Sequence, residues 1–390
     1  MKRYTSWRYW RGRAQKLNLT MRPRARLRVD IHSDAPFPVL PAEELARRYG
    51  IASEQVAEQE TSLDYTVYSR EAAQTSQIRN SPPQHLTLLR LHNVLCLRNG
   101  GLITEDGFLT DAVTTGNHGL RILKQPDGSA LISRELLPQG PVEVIDTPCL
   151  HMDVTYFENF GHLLIDGLPR LWALPHIPEK RLGLFTTIGW RRLYADELLD
   201  AASGGIRIIR GKGTALCRTL YVAIQPHMLG QYVCAQARDV WLRTGNNLCR
   251  KKTSATPRKI YFSRRRYSQR PMLDEEQVEA LFRARGFAVI YPEKHTLAEQ
   301  AAFIRQAEVL AGPCGSALHS SVFTGANLRV FSPTPYDIGS YPLIDRAAGR
   351  SFAYYLGTRL SEESRNGGVD FPWKVGDLEA VNNSLDHFLS

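Results

Sequence analysis

The sequence contains no apolar run near the roughly 18 residues that a membrane-spanning helix needs. Its best candidate, 162–177, is broken by Asp166, Pro169, Arg170 and Pro175, so the chain reads as soluble. Cysteine is sparse: Cys96, Cys149, Cys217, Cys234, Cys249 and Cys314 form no CxxC pair and have no histidine at finger-like spacing, which argues against a zinc site. The 29 glycines and 22 prolines stay at background level, excluding collagen-like and low-complexity chains. The charged start is not followed by an apolar stretch, so no secretory signal is read there, and reduced thiols on the cytosolic side are expected. There is no GxGxxG, no Walker loop and no strong Asp-x-Asp motif that would hold Mg²⁺.

Acidic residues are absent from the first 28 positions, which hold Lys2, Arg3, Arg8, Arg11, Arg13, Lys16, Arg22, Arg24, Arg26 and Arg28. Those ten account for the whole net charge of +10, because the other 39 basic residues face 39 acidic ones. The basicity therefore belongs to a tail, whereas a nucleic-acid enzyme more often spreads it over a folded face. If 3–18 is helical, Trp7, Trp10, Ala14 and Leu17 share one face, with Arg3 intruding on it. Such a segment could lie on an anionic membrane surface. The alternatives are a solvated basic arm, an unused upstream start before Met21, and a nucleic-acid-binding arm.

The body is 43% apolar and 23% charged over a chain of 390 residues, which fits two globular domains. Strands are expected at 86–91, 94–97, 142–145, 182–185, 206–209 and 220–224, and a helix at 194–202. Segment 156–174 has helical apolar spacing, with Asn159 as N-cap and Pro169 as a kink or stop. The polar stretch 243–257 is the best linker. The reading is a tail at 1–30, a domain at 31–245 and a second at 246–390. Beyond the linker, strands at 259–263, 288–291, 309–311 and 328–331 alternate with helices at 274–285, 297–307 and 316–323. That alternation predicts right-handed βαβ units on a parallel, Rossmann-like sheet.

Three groups could carry chemistry. Gly312-Pro313-Cys314-Gly315-Ser316 lies between an expected strand and helix, where backbone amides and a helix start would favour an anion. By itself it is equally an ordinary tight turn. Arg264-Arg265-Arg266 and Arg270 follow strand 259–263, at the strand ends where open parallel sheets bind ligands, and guanidinium groups suit phosphate oxygens. A solvated surface cluster is the plain alternative. Asn159, His162 and Asp166 form the third group; 162 and 166 share a helix face, so either could take a proton, or the set is an N-cap and a polar face. Glu293, after strand 288–291, falls at the arginines' sheet edge and could accept hydrogen bonds from a ribose.

Taken in order, these blocks resemble glycosyltransferase family 61. Asn159-Phe-Gly-His162-Leu-Leu-Ile-Asp166-Gly-Leu-Pro169-Arg170-Leu171 is similar to its Asn-x-x-His-x-x-x-acid-x-x-Pro-Arg-Leu block. Ile260-Tyr-Phe-Ser-Arg264, Arg270 and Glu275 resemble its arginine segment, and Gly286-Phe287, Tyr291-Pro292-Glu293, Leu297, Glu299-Gln300 and 311–318 continue in its order. The resemblance covers roughly 90–335. It implies a GT-B-like α/β fold of two Rossmann-like domains facing across a cleft, with 31–245 on the acceptor side and 246–390 binding the donor. It further implies an inverting, metal-independent transfer in surface polysaccharide synthesis, from a nucleotide-sugar, expected to be UDP-linked, to a hydroxyl of a glycan or lipid-linked glycan. No cofactor and no nucleic-acid partner are expected, and the location is cytoplasmic, with the option of a peripheral position on the membrane's cytoplasmic face. The expected base is Asp166, with His162 as its orienting partner or the alternative base. Arg264, Arg270, Glu293, Gly312, Gly315 and Ser316 are expected to bind the donor. Position 314 is Cys where the family commonly has His. That departure leaves a second reading, a non-catalytic nucleotide- or glycan-binding scaffold of an assembly complex.

Overall fold

The computed structural model describes residues 27–28, 37–38, 42–97, 101–104, 108–109, 122–124, 129–132, 141–153, 159–187, 193–249, 257–336, 339–360 and 371–390. The amphipathic segment expected at 3–18, most of the basic tail and the later part of the linker, 250–256, lie outside the described residues. The chain groups into two compact units, one of Met1–Gln55 with Gln84–Gln225 and one of Val56–Pro83 with Pro226–Ser390. No helix among the described residues is long and apolar enough to cross a membrane.

The division at 225/226 differs from the one read from the sequence at 245/246, for two reasons. The polar stretch begins inside a helix, Ala235–Leu248, that packs on the 3-10 helix Leu318–Phe323. Strand Thr61–Tyr68 pairs in parallel with Phe352–Leu356 and takes its hairpin partner Ala73–Asn80 with it. A pairing so distant in sequence leaves no local trace.

The first unit is a mixed sheet. Its strands run Ile208–Arg210, Gly183–Thr186, Cys149–His151, Ala215–Ala223, His85–Cys96, Leu102–Ile103 and Phe108–Leu109. The first four are parallel, and the rest join antiparallel. The two strands expected at 86–91 and 94–97 are one, running through Asn93 although that residue has a φ of 52°. Leu89, Leu91, Val94, Cys96, Cys149, Phe185, Ala215, Cys217, Leu220 and Val222 make its core. All six cysteines are free, and five are buried.

In the second unit the strands run Ala288–Ile290, Lys259–Phe262, Val309–Ala311, Arg329–Thr334, Phe352–Leu356, Thr61–Tyr68 and Ala73–Asn80. All but the last are parallel. The sheet is buried on both faces, as its near-continuous apolar strands require. Tyr261, Ala311, Phe331, Ala353 and Tyr355 face one core with helices Glu275–Ala284 and Leu378–Leu389. Ile260, Phe262, Leu310, Val330, Phe352 and Tyr354 face the other, with helix Leu297–Gln306. From Lys259 onward the first five strands have the order 2-1-3-4-5. The strand order reverses between Lys259–Phe262 and Val309–Ala311, and the crevice at such a switch point, beyond the strands' carboxyl ends, is where open α/β sheets take ligands.

Helix Ala235–Leu248 approaches the backbone of Phe323 through Gly245, where an added Cβ would lie 2.6 Å from the Phe323 carbonyl oxygen. Gly245→Ala gains roughly 1 kcal/mol of helix propensity. The clash with an immovable carbonyl outweighs it, and a net loss of about 1–2 kcal/mol is expected in urea unfolding.

Candidate functional site

Each unit holds one cluster of the residues singled out by the sequence. In the first, Asn159 Oδ1 accepts from Gly161 N at 2.8 Å and caps a single α-turn, Phe160–His162. The chain continues not as a kinked α-helix but as a π-helical turn, Leu163–Gly167, and then a 3-10 helix, Leu168–His176. The physical reason is Pro169, which has no N–H to offer an α-helical ladder. The bonding shifts instead to i→i−5, with Leu168 N donating to Leu163 O. π-turns of this kind cluster at functional sites.

This turn buries Asp166 completely and leaves the His162 side chain 25% exposed, with His162 Nδ1 and Asp166 Oδ2 2.7 Å apart. A carboxylate at that distance fixes the proton on Nδ1, so Nε2 is the atom that can exchange one. Gln225 Nε2 donates to the Asp166 carbonyl at 3.1 Å. Behind Asp166 lies the buried Arg170, whose guanidinium is pushed down to about 10 by burial, against the attraction of Asp153 and Asp166. Arg170 Nη1 reaches His151 Nδ1 at 3.5 Å, and burial drives His151 towards its neutral form. Asp153 accepts from the Thr186 hydroxyl, from Thr187 N at 2.7 Å and from Thr187 Oγ1 at 2.6 Å. Burial opposes its charge, but His151 and these donors outweigh that and hold its carboxyl below the usual range. His151 and Asp153 were not singled out by sequence reasoning. They sit at the end of a short strand, and no spacing links them to Asp166.

The second cluster occupies the switch point. Arg264 follows strand Lys259–Phe262, and its backbone N donates to Glu275 Oε1 at 2.6 Å. Its guanidinium lies on Gly315, where a Cβ would fall 1.7 Å from Nη1. Among the described residues that guanidinium has one hydrogen-bond partner, Gln269 O at 3.3 Å. Burial, and then the nearby Arg270 guanidinium, both disfavour its charge. Arg270 has a φ of 51°, its Nη1 donates to the Tyr336 hydroxyl, and its carbonyl accepts from Trp373 Nε1 at 3.2 Å. Arg264, Arg270 and the glycine loop therefore meet.

The amides of that loop do not do what the sequence suggested. Gly312 N donates to Phe331 O at 3.2 Å, Cys314 N to Pro333 O at 3.1 Å and Gly315 N to the Tyr341 hydroxyl at 2.9 Å, while Pro313 has none. These bonds tie the loop to its neighbours instead of presenting N–H groups to an anion. Ser316 leads only to a six-residue 3-10 helix, Leu318–Phe323, so the helix start expected there is a short one. What the glycines supply is room: Gly315 for the guanidinium, and Gly312 for the Phe262 carbonyl, which would stand 2.5 Å from a Cβ. Cys314 is buried, with its Sγ 3.1 Å from Thr334 Oγ1, and burial raises its thiol against the pull of Arg270 and Arg264. Glu293 is held on a 3-10 turn, Pro292–Lys294, with Oε1 3.9 Å from Arg266 Nε; it faces Arg266.

Below the arginines lies a carboxylate pair. Glu275 and Glu279 are both buried, and Ser263 Oγ lies 3.2 Å from Glu275 Oε1 and 2.7 Å from Glu279 Oε1. Tyr291 OH also donates to Glu279 at 3.1 Å. The signal was in the sequence: Glu275, Val278, Glu279 and Phe282 follow i, i+3, i+4, i+7 and form the helix's buried face. Burial, with Glu279 adding to it, pushes Glu275 up to about 7 against the Arg264 amide and Ser263 hydroxyl.

Residues 160–331 match the family model described as Glycosyltransferase 61, a span that contains both clusters from Phe160 onward. No curated protein matches the chain. Over that span the chain is similar to glycosyltransferase family 61, which supports a glycosyltransferase enzyme.

The raised Glu275 carboxyl makes stability depend on pH. Its neutral form is favoured in the fold, so its contribution is full below pH 4.5 and is lost as pH rises through about 7. Glu275→Gln keeps an oxygen for the Arg264 amide and removes the ionisation. Between pH 5 and 8 wild type should lose about 2–3 kcal/mol relative to the variant in urea unfolding. Parallel pH profiles for the two proteins would show that Glu275 ionises in the fold as it does in water.

Proposed function

We propose that this family 61 glycosyltransferase is an inverting enzyme, independent of metal, that moves a sugar from a nucleotide-sugar, UDP-linked, to a hydroxyl of a glycan or lipid-linked glycan in surface polysaccharide assembly. The observation that carries the reading is the meeting of Arg264 and Arg270 at the glycine loop of a parallel-sheet switch point. Two partly desolvated like charges gain most from a ligand with two negative centres, and a diphosphate is such a ligand. A GT-B arrangement, with the second unit on the donor side and the first on the acceptor side, belongs to the same proposal. So does a cytoplasmic location, with the basic residues at 1–28 resting on anionic lipid.

In this mechanism the acceptor oxygen attacks the anomeric carbon from the face opposite the leaving group, which inverts it. The acceptor proton passes to His162 Nε2. The bond from the anomeric carbon to the phosphate oxygen breaks, its electron pair leaves with the nucleoside diphosphate, and Arg264 and Arg270 take up that charge. Burial favours His162 over Asp166 as the base, because Asp166 is sealed and His162 is 25% exposed. Asp166 then orients the ring.

His162→Ala should leave UDP binding intact by calorimetry and lower kcat by about 10²–10⁴, and Asp166→Asn should lower it too. Turnover of His162→Ala near the wild-type rate, with Asp166→Asn dead, would return the role of base to Asp166. Donor binding without turnover across a broad acceptor panel would favour the scaffold reading. Gly315→Ala must expel the Arg264 guanidinium and strains a backbone held at φ 155°, so UDP affinity should fall about tenfold and stability by about 1–3 kcal/mol. Unchanged affinity would remove Arg264 from the donor site.

A further inference from the structure

Arg270 is held in a conformation that a side chain rarely takes, and the structure shows what holds it. Its φ of 51° is left-handed, and it is one of two non-glycine residues with positive φ among those described. Two contacts fix it there. Trp373 Nε1 donates to its carbonyl at 3.2 Å, and its own Nη1 donates to the Tyr336 hydroxyl. Backbone strain of this kind persists only where the surroundings over-determine it, and it concentrates at ligand clamps.

Tyr336 is itself fixed on every side. Thr334 Oγ1 lies 2.6 Å from its carbonyl and 3.4 Å from its amide. Phe371 packs edge-on against its ring at 5.9 Å. The Arg359 guanidinium covers the ring at 5.2 Å and the Phe371 ring at 4.4 Å. The phenol is thus a rigid stop at the end of strand Arg329–Thr334, one strand beyond the switch point. A flexible arginine beside a like charge would swing away from Arg264 into solvent. The fixed hydroxyl prevents that by accepting from Nη1 of the fork.

We propose that Tyr336 is a positioning residue for the donor's diphosphate, acting through Arg270. Its hydroxyl pins the Arg270 guanidinium beside Arg264, so that the two forks are set before the diphosphate arrives. The proposal rests on the donor reading above and adds to it the group that holds the clamp in place. Pre-organisation of this sort raises affinity by removing the cost of ordering the side chain on binding.

The experiment is calorimetry on the full chain with inorganic pyrophosphate, UDP and uridine, for wild type, Tyr336→Phe, Arg270→Met and the double variant. Phenylalanine keeps the ring, its contacts with Phe371 and Arg359, and the fold, which the melting temperature checks. Tyr336→Phe should weaken pyrophosphate and UDP by about tenfold and leave uridine unchanged, and it should add nothing once Arg270 is Met. Wild-type affinity in Tyr336→Phe, or an undiminished loss in the Arg270→Met background, would overturn the proposal while leaving the donor reading in place. If wild type binds neither pyrophosphate nor any nucleoside diphosphate, the donor reading fails and takes the proposal with it. Arg270→Gly serves as a second variant, since glycine adopts the left-handed conformation freely. It should melt no lower than wild type and bind pyrophosphate as weakly as Arg270→Met. Wild-type pyrophosphate binding by Arg270→Gly would also overturn the proposal.

Discussion

The contact on which the second unit's site depends is that of a guanidinium with a residue that has no side chain. Arg264 can lie at the switch point only because position 315 lacks a Cβ, which would fall 1.7 Å from Nη1. The loop bearing Gly315 is fixed in turn by bonds to strand Arg329–Thr334 and to Tyr341, so the room is built in. A second glycine, Gly312, lets the loop pass against the Phe262 carbonyl, immediately before the segment that carries Arg264. Strand order brings the two loops together, and the glycines allow them to touch.

That closeness has an electrostatic cost, met from beneath. Two guanidiniums at one sheet edge repel, and burial worsens it. Glu275 lies under Arg264 and accepts its backbone amide, so a carboxyl stands behind the arginine and not beside its fork. A carboxylate paired directly with the fork would neutralise the site and compete with an incoming anion. Held behind, it steadies the loop while leaving the front face positive. Burial and Glu279 favour the neutral carboxyl at Glu275, which accepts the Arg264 amide without quenching the guanidinium.

How much of this could be read in the sequence varies with the range of each interaction. The alternation after 257 gave the parallel sheet, because its strands and helices are short and locally patterned. The edge strand Thr61–Tyr68 was invisible, since its partner Phe352–Leu356 lies at the other end of the chain. Asn159, His162 and Asp166 were found because one helical turn joins them. Their supports His151, Asp153 and Thr187 arrive on separate strands that no spacing connects. Pro169 announced a helix break but not a π-turn, because a missing N–H says that the ladder must change and not how. The glycine loop is legible by composition, but where its amides go is not. Its glycines resemble an amide cradle, yet the Gly312, Cys314 and Gly315 amides bond neighbours that only the fold supplies. Tyr336, fixed by Thr334, Phe371 and Arg359, could not be ranked from sequence above any of the other tyrosines.

On the proposed mechanism, each of the two clusters serves one half of a displacement reaction. In the first unit the sealed Asp166 fixes the His162 proton on Nδ1, so Nε2 is the atom to take the acceptor proton in that mechanism. In the second, the Arg264 guanidinium, whose charge burial and Arg270 disfavour, would gain from the negative charge of a departing diphosphate. Transfer of a sugar to a hydroxyl generates just these two charges, a proton from the acceptor and an anion at the leaving group. A site whose dipoles had to reorganise during the reaction would add that reorganisation to the barrier. A fold that fixes the donors and acceptors beforehand has already met that cost when the chain folds. Buried charge that would be poor design for stability alone is then intelligible as preparation for the reaction.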